Sequence, residues 1–400
     1  MRTLPFAAWY QPYSVRDEAL SFVGSGGRLI PYVSFYKGPF VSRVHEDPMW
    51  GGGSPGRREV LENPFWQSVN LDNHPEWALA GPDGRRVRPF GSANYPVGWE
   101  QVCVQSAGYI EAALQGVKGL MDDGAAGVLI DNLHPTALCW GAGAEGHRHV
   151  ERHATNASAF LELLERVYHL IKSYGEDKLV VLNGAHHHAY AQFGDVLLLE
   201  SHVVSWASDD WRGDAAVWLS THTRFEPYLK TGKRIVSLNY LGHTARDIAD
   251  EAMYSASWAF LLGYLWCDAF SLVEDSVIEI LGGYRDRYAK GEQGNVEGVS
   301  RWRRWMGQDR ERRLALARRL YGVSLGRSLG PIAGGPTVFH RRFERGWVIV
   351  NSGKEPAEWS HPWPAESPLY DVETGELVGA AGGVLKVRVE GEHGRILTTP

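Results

Sequence analysis

Short apolar runs that end in a polar residue recur along the first 270 positions and alternate with stretches of helical periodicity. Eight of these runs predict strands: residues 4–10, 28–34, 101–105, 127–131, 178–183, 195–200, 234–239 and 263–268. Strands joined by helical crossovers over about this length predict an α/β fold, a (β/α)8 TIM barrel, occupying residues 1–328. Between the second and third runs lies an excursion, residues 35–100, rich in Gly, Pro, Trp and Asn. A loop of that length leaving the carboxyl end of a barrel strand is expected to serve function. Its Trp50, Trp66 and Trp77 either roof a cleft or anchor the loop to the barrel.

Residues 301–327 read as a helix with nine arginines. Leu314, Leu316, Leu320 and Tyr321 are interleaved with its charges, which fits a solvated helix buttressing the barrel better than a nucleic-acid or lipid surface. After it, alternating segments at 337–343, 347–352, 368–372 and 384–390 predict a small C-terminal antiparallel β domain, sandwich-like, over residues 329–400.

Composition narrows the function classes. The chain has 400 residues, 44% of them hydrophobic and 22% charged, with a net charge of −6, which excludes disorder. The longest nearly apolar stretch, 258–266, is about half of what a bilayer span needs, so no membrane partner is expected. With no export signal at the start, and with Cys103, Cys139 and Cys267 too few and too irregular for a disulfide framework, the expectation is a cytoplasmic chain with reduced thiols. No G-x-G-x-x-G or G-x-x-x-x-G-K-[ST] follows an early strand, and G-x-S-x-G is absent, so neither a nucleotide cofactor nor a serine nucleophile is expected. His186, His187 and His188 are consecutive and cannot converge on one ion from a regular element. His147, His149 and His153 fall in a segment expected to face solvent. No metal is therefore expected.

In a barrel, chemistry is read at the carboxyl ends of the strands. Those ends carry Asp131, Asn183, Glu200, Asn239 and Asp268. Asp131 and Glu200 close the fourth and sixth runs, one strand apart, so their carboxyl groups can converge across a sugar-sized gap. Such a pair is what glycosidic cleavage requires, one group attacking the anomeric carbon or activating water and the other protonating the leaving oxygen. Asp131 has polar neighbours that suit an ionised group. Glu200, preceded by three leucines, suits a raised pKa. The structural alternatives are a helix cap for Asp131 and a buried ion pair with an arginine such as Arg224 for Glu200. Asn183 and Asn239 either bind substrate hydroxyls or satisfy loop backbone. Asn132, His187 and Asp268 join them as candidate substrate contacts, and Trp9, Tyr36, Trp140 and Trp206 are candidates to stack on sugar rings, with core packing as the alternative. The 13 Phe, 16 Trp and 17 Tyr point the same way without deciding it.

The segments HPEWALAGPDG (74–84), VCVQSAGY (102–109), GAAGVLIDN (124–132), VVLNG (180–184) and DVLLLES (195–201) resemble those of barrel-type glycoside-hydrolase-like families. The Asp-Asn and Glu-Ser segments are also similar to the endo-α-1,4-polygalactosaminidase family, and the later GWVIVNSG fits the same pattern. The resemblance implies Asp131 as nucleophile or base and Glu200 as acid, with retention of configuration slightly preferred and a carbohydrate as the partner. It departs from retaining families with glutamates after both the fourth and seventh strands, since the seventh run here ends in Asn239. The other readings carried forward are a catalytically silent barrel that binds carbohydrate and, more weakly, an anionic-polymer binder using the arginine-rich helix. The oligomeric state is left open.

Overall fold

The computed structural model describes residues 20, 23–24, 28–44, 56–91, 97–133, 138–141, 147, 149, 155–184, 188–205, 210–241, 246–268, 310–363, 367–379 and 383–400. The first expected strand, 4–10, lies outside them, as do Trp9, Trp50, His153, His186, His187 and Trp206. β1 (Tyr32–Ser34) lies in the second expected run, and the excursion after it contains β2 (Lys37–Pro39), then helices α1 (Arg57–Glu62) and α2 (Pro64–Ser68). β3 (Trp99–Gln101), α3 (Ala107–Asp122), β4 (Gly127–Asp131), α4 (Asn156–Lys172), β5 (Leu179–Asn183), α5 (His188–Ala191) and β6 (Val196–Glu200) follow. The alternation continues through α6 (Ala215–Lys230), β7 (Arg234–Asn239), α7 (Ile248–Leu262) and β8 (Leu265–Asp268), and α8 (Arg310–Gly322) falls in the arginine-rich segment.

Strands β1, β4, β5, β6, β7 and β8 form one six-stranded sheet in that order. The recorded ladders are parallel, and Ser34 stands opposite Asp131. One expectation is corrected here. The run at 101–105 adds no strand to this sheet, and β3, which ends at Gln101, pairs antiparallel with β2. Val102, Cys103 and Val104 are buried as their apolar character requires, but Val102 N donates to Tyr36 O at 3.2 Å and Cys103 N to Trp77 O at 2.9 Å. β1 therefore neighbours β4 directly. Without a strand at 101–105, Asp131 and Glu200 each stand one place earlier in the parallel order than the eight-run reading gave, while the single strand between them, β5, is retained.

By its internal contacts the chain divides inside β6, after Leu198, into two compact units. In the first, the sheet carries α3 and α4, whose first turns are capped by Ser106 and Thr155 side chains accepting from Tyr109 N and Ser158 N. In the second, α7 is buried on nearly every face, and among the described residues no helix is long and apolar enough to cross a membrane. Trp218, Tyr254 and Trp258 interlock there, with the Trp218 and Trp258 ring centroids 4.9 Å apart.

The same unit holds the C-terminal antiparallel region. β9 (Ala333–Gly334), β10 (Val338–Phe343), β11 (Gly346–Asn351), β12 (Ala357–Pro362), β13 (Leu369–Asp371), β14 (Leu377–Gly379), β15 (Val384–Val389) and β16 (His393–Thr398) build it. They form a six-stranded sheet ordered β14-β13-β16-β11-β10-β9 and a β12-β15 pair. The 344–345 turn, FERG in the sequence, joins β10 to β11 as a hairpin in which Phe343 faces Gly346. Gly394 of β16 lies so close to α7 that a Cβ there would overlap the Ser257 side chain. Gly394→Val is expected to cost about 1–3 kcal/mol, the range for overpacking a filled interior. Urea unfolding checks this, and an unchanged midpoint would show that α7 and β16 separate freely.

Candidate active site

Asp131 and Glu200 each sit in a polar cluster of their own, one in each compact unit. Asp131 ends β4 half-buried. Its Oδ2 accepts from the Tyr32 hydroxyl at 2.9 Å and its Oδ1 from Asn183 Nδ2 at 2.7 Å. The two donors come from the neighbouring strands β1 and β5, so the parallel register itself aims them. Asn132 Nδ2 donates to both Tyr32 Oη and Ser34 Oγ at 3.1 Å, which locks the tyrosine in place. Among the described residues, the Asp131 side chain accepts no helix-cap bond. Asn183, 3% exposed, positions the carboxylate, a role outside the two expected for it.

Glu200 ends β6, also half-buried. Its Oε1 accepts from the Tyr240 hydroxyl at 2.6 Å, and its carbonyl accepts from Arg212 Nη1 at 2.8 Å. Arg224, the arginine considered as an ion-pair partner, is exposed on α6. Asn239 is fully buried, with Oδ1 accepting from Val203 N and Val204 N at 3.0 and 3.1 Å, so it takes the loop-backbone role of the two expected. His202, two residues past Glu200, is held by Ser237 Oγ at 2.8 Å. Burial first, then the Arg212 and His222 charges, push it down to about 3, so it is neutral.

The residue after each carboxylate shares an unusual backbone. Asn132 and Ser201 both have φ of 55°, in the left-handed region that costs an L-residue energy. Asn visits that region more readily than Ser. Strain of this kind persists where the surroundings over-determine it, most often at functional sites.

Among the described residues, most of the aromatic candidates are packed. Tyr36 is 5% exposed, with its hydroxyl accepting from Phe90 N and its ring against Phe90. Trp66 is fully buried, and Trp77 stacks on His74 with centroids 3.9 Å apart, so these two rings take the anchoring role. Trp140 is 60% exposed and open to a partner. Asp268 ends β8.

Two charged residues escaped the sequence reading. Lys37 is buried beneath the Asp131 cluster, with Nζ 5.7 Å from the Tyr32 ring centroid and 5.2 Å from that of Trp99. Glu59 on α1 is buried, and its Oε2 has no hydrogen-bond partner among the described residues. Desolvation raises its pKa from 4.5 to about 8, against the opposing pull of Lys37. Between those values the folded chain keeps a proton that the unfolded chain loses, so stability falls as pH rises through that window. Glu59→Gln removes the effect. Relative to the variant, the wild type is expected to lose up to a few kcal/mol between about pH 4.5 and 8. Denaturant midpoints at both ends check this, and a difference independent of pH would mean that Glu59 is ionised in the fold.

The cysteines and histidines bring a second correction. His147, placed by the sequence in a solvent-facing segment, is 6% exposed, and it meets His149, Cys103 and Cys139 in one cluster. The signal was hidden because Cys103 lies far along the chain from Cys139, His147 and His149.

No family model matches the chain, and no curated protein matches it. Among solved structures, the chain is similar to a trehalose-6-phosphate hydrolase of Bacillus licheniformis, with a TM-score of 0.54 and 11% identity over 96% of this chain and 85% of that one. It is similar to Amy13B of Eubacterium rectale, TM-score 0.52 and 9% identity over 96% and 82% of the two chains. Ttha1563 of Thermus thermophilus gives the same TM-score, 0.52, with 12% identity over 96% and 80%. At these identities the likeness is one of fold. The protein has the (β/α)8 barrel fold, with a C-terminal antiparallel β region, seen in glycoside hydrolases. The particular resemblance to the polygalactosaminidase family finds no counterpart in these comparisons.

Proposed function

We propose that this protein is a glycoside hydrolase that cleaves a glycosidic bond in an oligo- or polysaccharide, with Asp131 and Glu200 as its carboxylate pair. The observation that carries the reading is the duplicated strand end. Strands β4 and β6 both pair in parallel with β5, each ends in a carboxylate that accepts from a tyrosine hydroxyl, and each carboxylate is followed by a residue in left-handed backbone. A barrel fold shared with a trehalose-6-phosphate hydrolase supports the reaction class.

In the proposed mechanism, Asp131 attacks the anomeric carbon as the ionised group, its charge held by the Tyr32 hydroxyl and the Asn183 amide. Glu200 gives its proton to the leaving oxygen as the glycosidic bond breaks, and then takes one from the water that displaces Asp131 from the anomeric carbon. Its ionised form between those steps accepts from Tyr240. The alternative is a silent barrel that binds sugar without turnover. Proton NMR of oligosaccharides incubated with the wild-type chain separates them. The proposal expects a new reducing end, first formed with retained configuration. Bound but unaltered oligosaccharide favours the silent barrel.

A further inference from the structure

The geometry points to a structural zinc site formed by Cys103, Cys139, His147 and His149. One ligand atom from each residue lies within 4.8 Å of all the others. Cys103 Sγ is 3.5 Å from His149 Nε2, Cys139 Sγ is 3.6 Å from His147 Nε2, and the two Nε2 atoms are 3.0 Å apart. Tetrahedral zinc with bonds of about 2.0–2.3 Å to nitrogen and sulfur places its ligands about 3.3–3.8 Å apart, so a small outward movement of the imidazoles completes the tetrahedron.

The surroundings are those of a ligand set rather than of four chance neighbours. His147 Nδ1 faces the Glu76 carbonyl, which fixes the proton on that nitrogen and leaves the Nε2 lone pair aimed into the cluster. Gly141 N donates to Cys139 Sγ at 3.4 Å, a bond that stabilises a thiolate. His149 is bridged antiparallel to Ser106, and His147 and His149 both present Nε2 to the cluster. Cys103 is fully buried. The two Nε2 atoms face each other at 3.0 Å with a sulfur beside each, an arrangement that one cation bonded to all four atoms accommodates.

Two soft thiolates and two imidazoles select zinc over magnesium or calcium, and four protein ligands leave no open position, so the role is structural. Binding proceeds with the two thiol protons passing to solvent and no change of oxidation state. The ion would tie the segment that leaves Asp131, through Cys139, His147 and His149, to the strand-end segment at Cys103. The backbone bonds from Cys103 N to Trp77 O and from Trp140 N to Ala80 O already run alongside it.

The test is metal analysis of the full wild-type chain purified without chelator, followed by cobalt substitution. One zinc ion per chain is expected, together with thiolate-to-cobalt charge-transfer bands and a melting temperature that falls when a chelator strips the ion. Cys139→Ser and His149→Ala are expected to lose the charge-transfer signature or weaken zinc binding at least tenfold. Because loss of a ligand can unfold either variant, the decision rests on the wild type. A folded wild-type chain that retains no zinc after equilibration with it, or intact-mass data showing a Cys103 to Cys139 disulfide, overturns the site. Zinc retained undiminished by both variants overturns the ligand assignment.

Discussion

Asp131→Asn is expected to lower kcat by about a thousandfold or more on any glycan the wild-type chain cleaves, while leaving the fold nearly intact. The substitution keeps the volume of the side chain and removes the charge that would stabilise a developing oxocarbenium ion. Among the described residues, Asp131 takes one hydrogen bond on each oxygen, from Asn183 and Tyr32. An asparagine can keep its oxygen on the Asn183 amide and turn its own NH2 towards Tyr32, whose hydroxyl can rotate to accept. The stability cost is therefore about 1 kcal/mol. Steady-state kinetics beside thermal melts check both halves. A variant within tenfold of wild-type kcat would remove Asp131 from the reaction.

Glu200→Gln carries the second large effect, and its signature depends on the leaving group. For an unactivated sugar-sugar linkage, losing the proton donor costs about 10²- to 10⁴-fold. For an aryl glycoside with an acidic phenol, departure needs no protonation, so the first step is largely spared. The alkaline limb of the pH profile is expected to vanish with the carboxyl group. The Tyr240 hydroxyl that donates to Glu200 at 2.6 Å can still donate to the amide oxygen of glutamine, so the variant keeps its positioning. Equal losses on both kinds of substrate would instead assign Glu200 a positioning role.

The parts of the fold that were legible in the sequence are those where periodicity and burial coincide. The runs ending at Asp131, Asn183, Glu200 and Asn239 became parallel strands with those residues at their ends, because an all-apolar run closed by a polar residue leaves few other placements. The run at 101–105 misled because apolar character reports burial and not the pairing partner. Its residues are buried against the excursion, and this shifts the strand count on which part of the family resemblance rested. β12 went unread because Glu358 and Ser360 are exposed beside a short apolar face, and its partner β15 is distant in sequence.

The candidate site was legible at its carboxylates and not in what holds them. Tyr32 and Tyr240 lie on or just past other strands, so only the register brings their hydroxyls to Asp131 and Glu200. Tryptophan abundance suggested sugar stacking, yet Trp66, Trp99, Trp218, Trp258 and Trp363 are among the largest fully buried side chains. A ring suited to a sugar face is equally suited to a core, and composition does not separate the two. The Cys-His cluster was illegible for a topological reason: its ligands come from three stretches of chain that only the folded excursion and the segment after β4 bring together.

Whether this barrel hydrolyses glycosidic bonds through Asp131 is decided by reducing-end release. Wild type and Asp131→Asn, matched for melting temperature, would be compared on plant, bacterial and amino-sugar polysaccharides and on aryl glycosides. Release by the wild type on at least one substrate, lowered about a thousandfold or more in the variant, is the expected outcome. Release that the variant retains undiminished, or none from the wild type on a substrate it demonstrably binds, would refute the assignment.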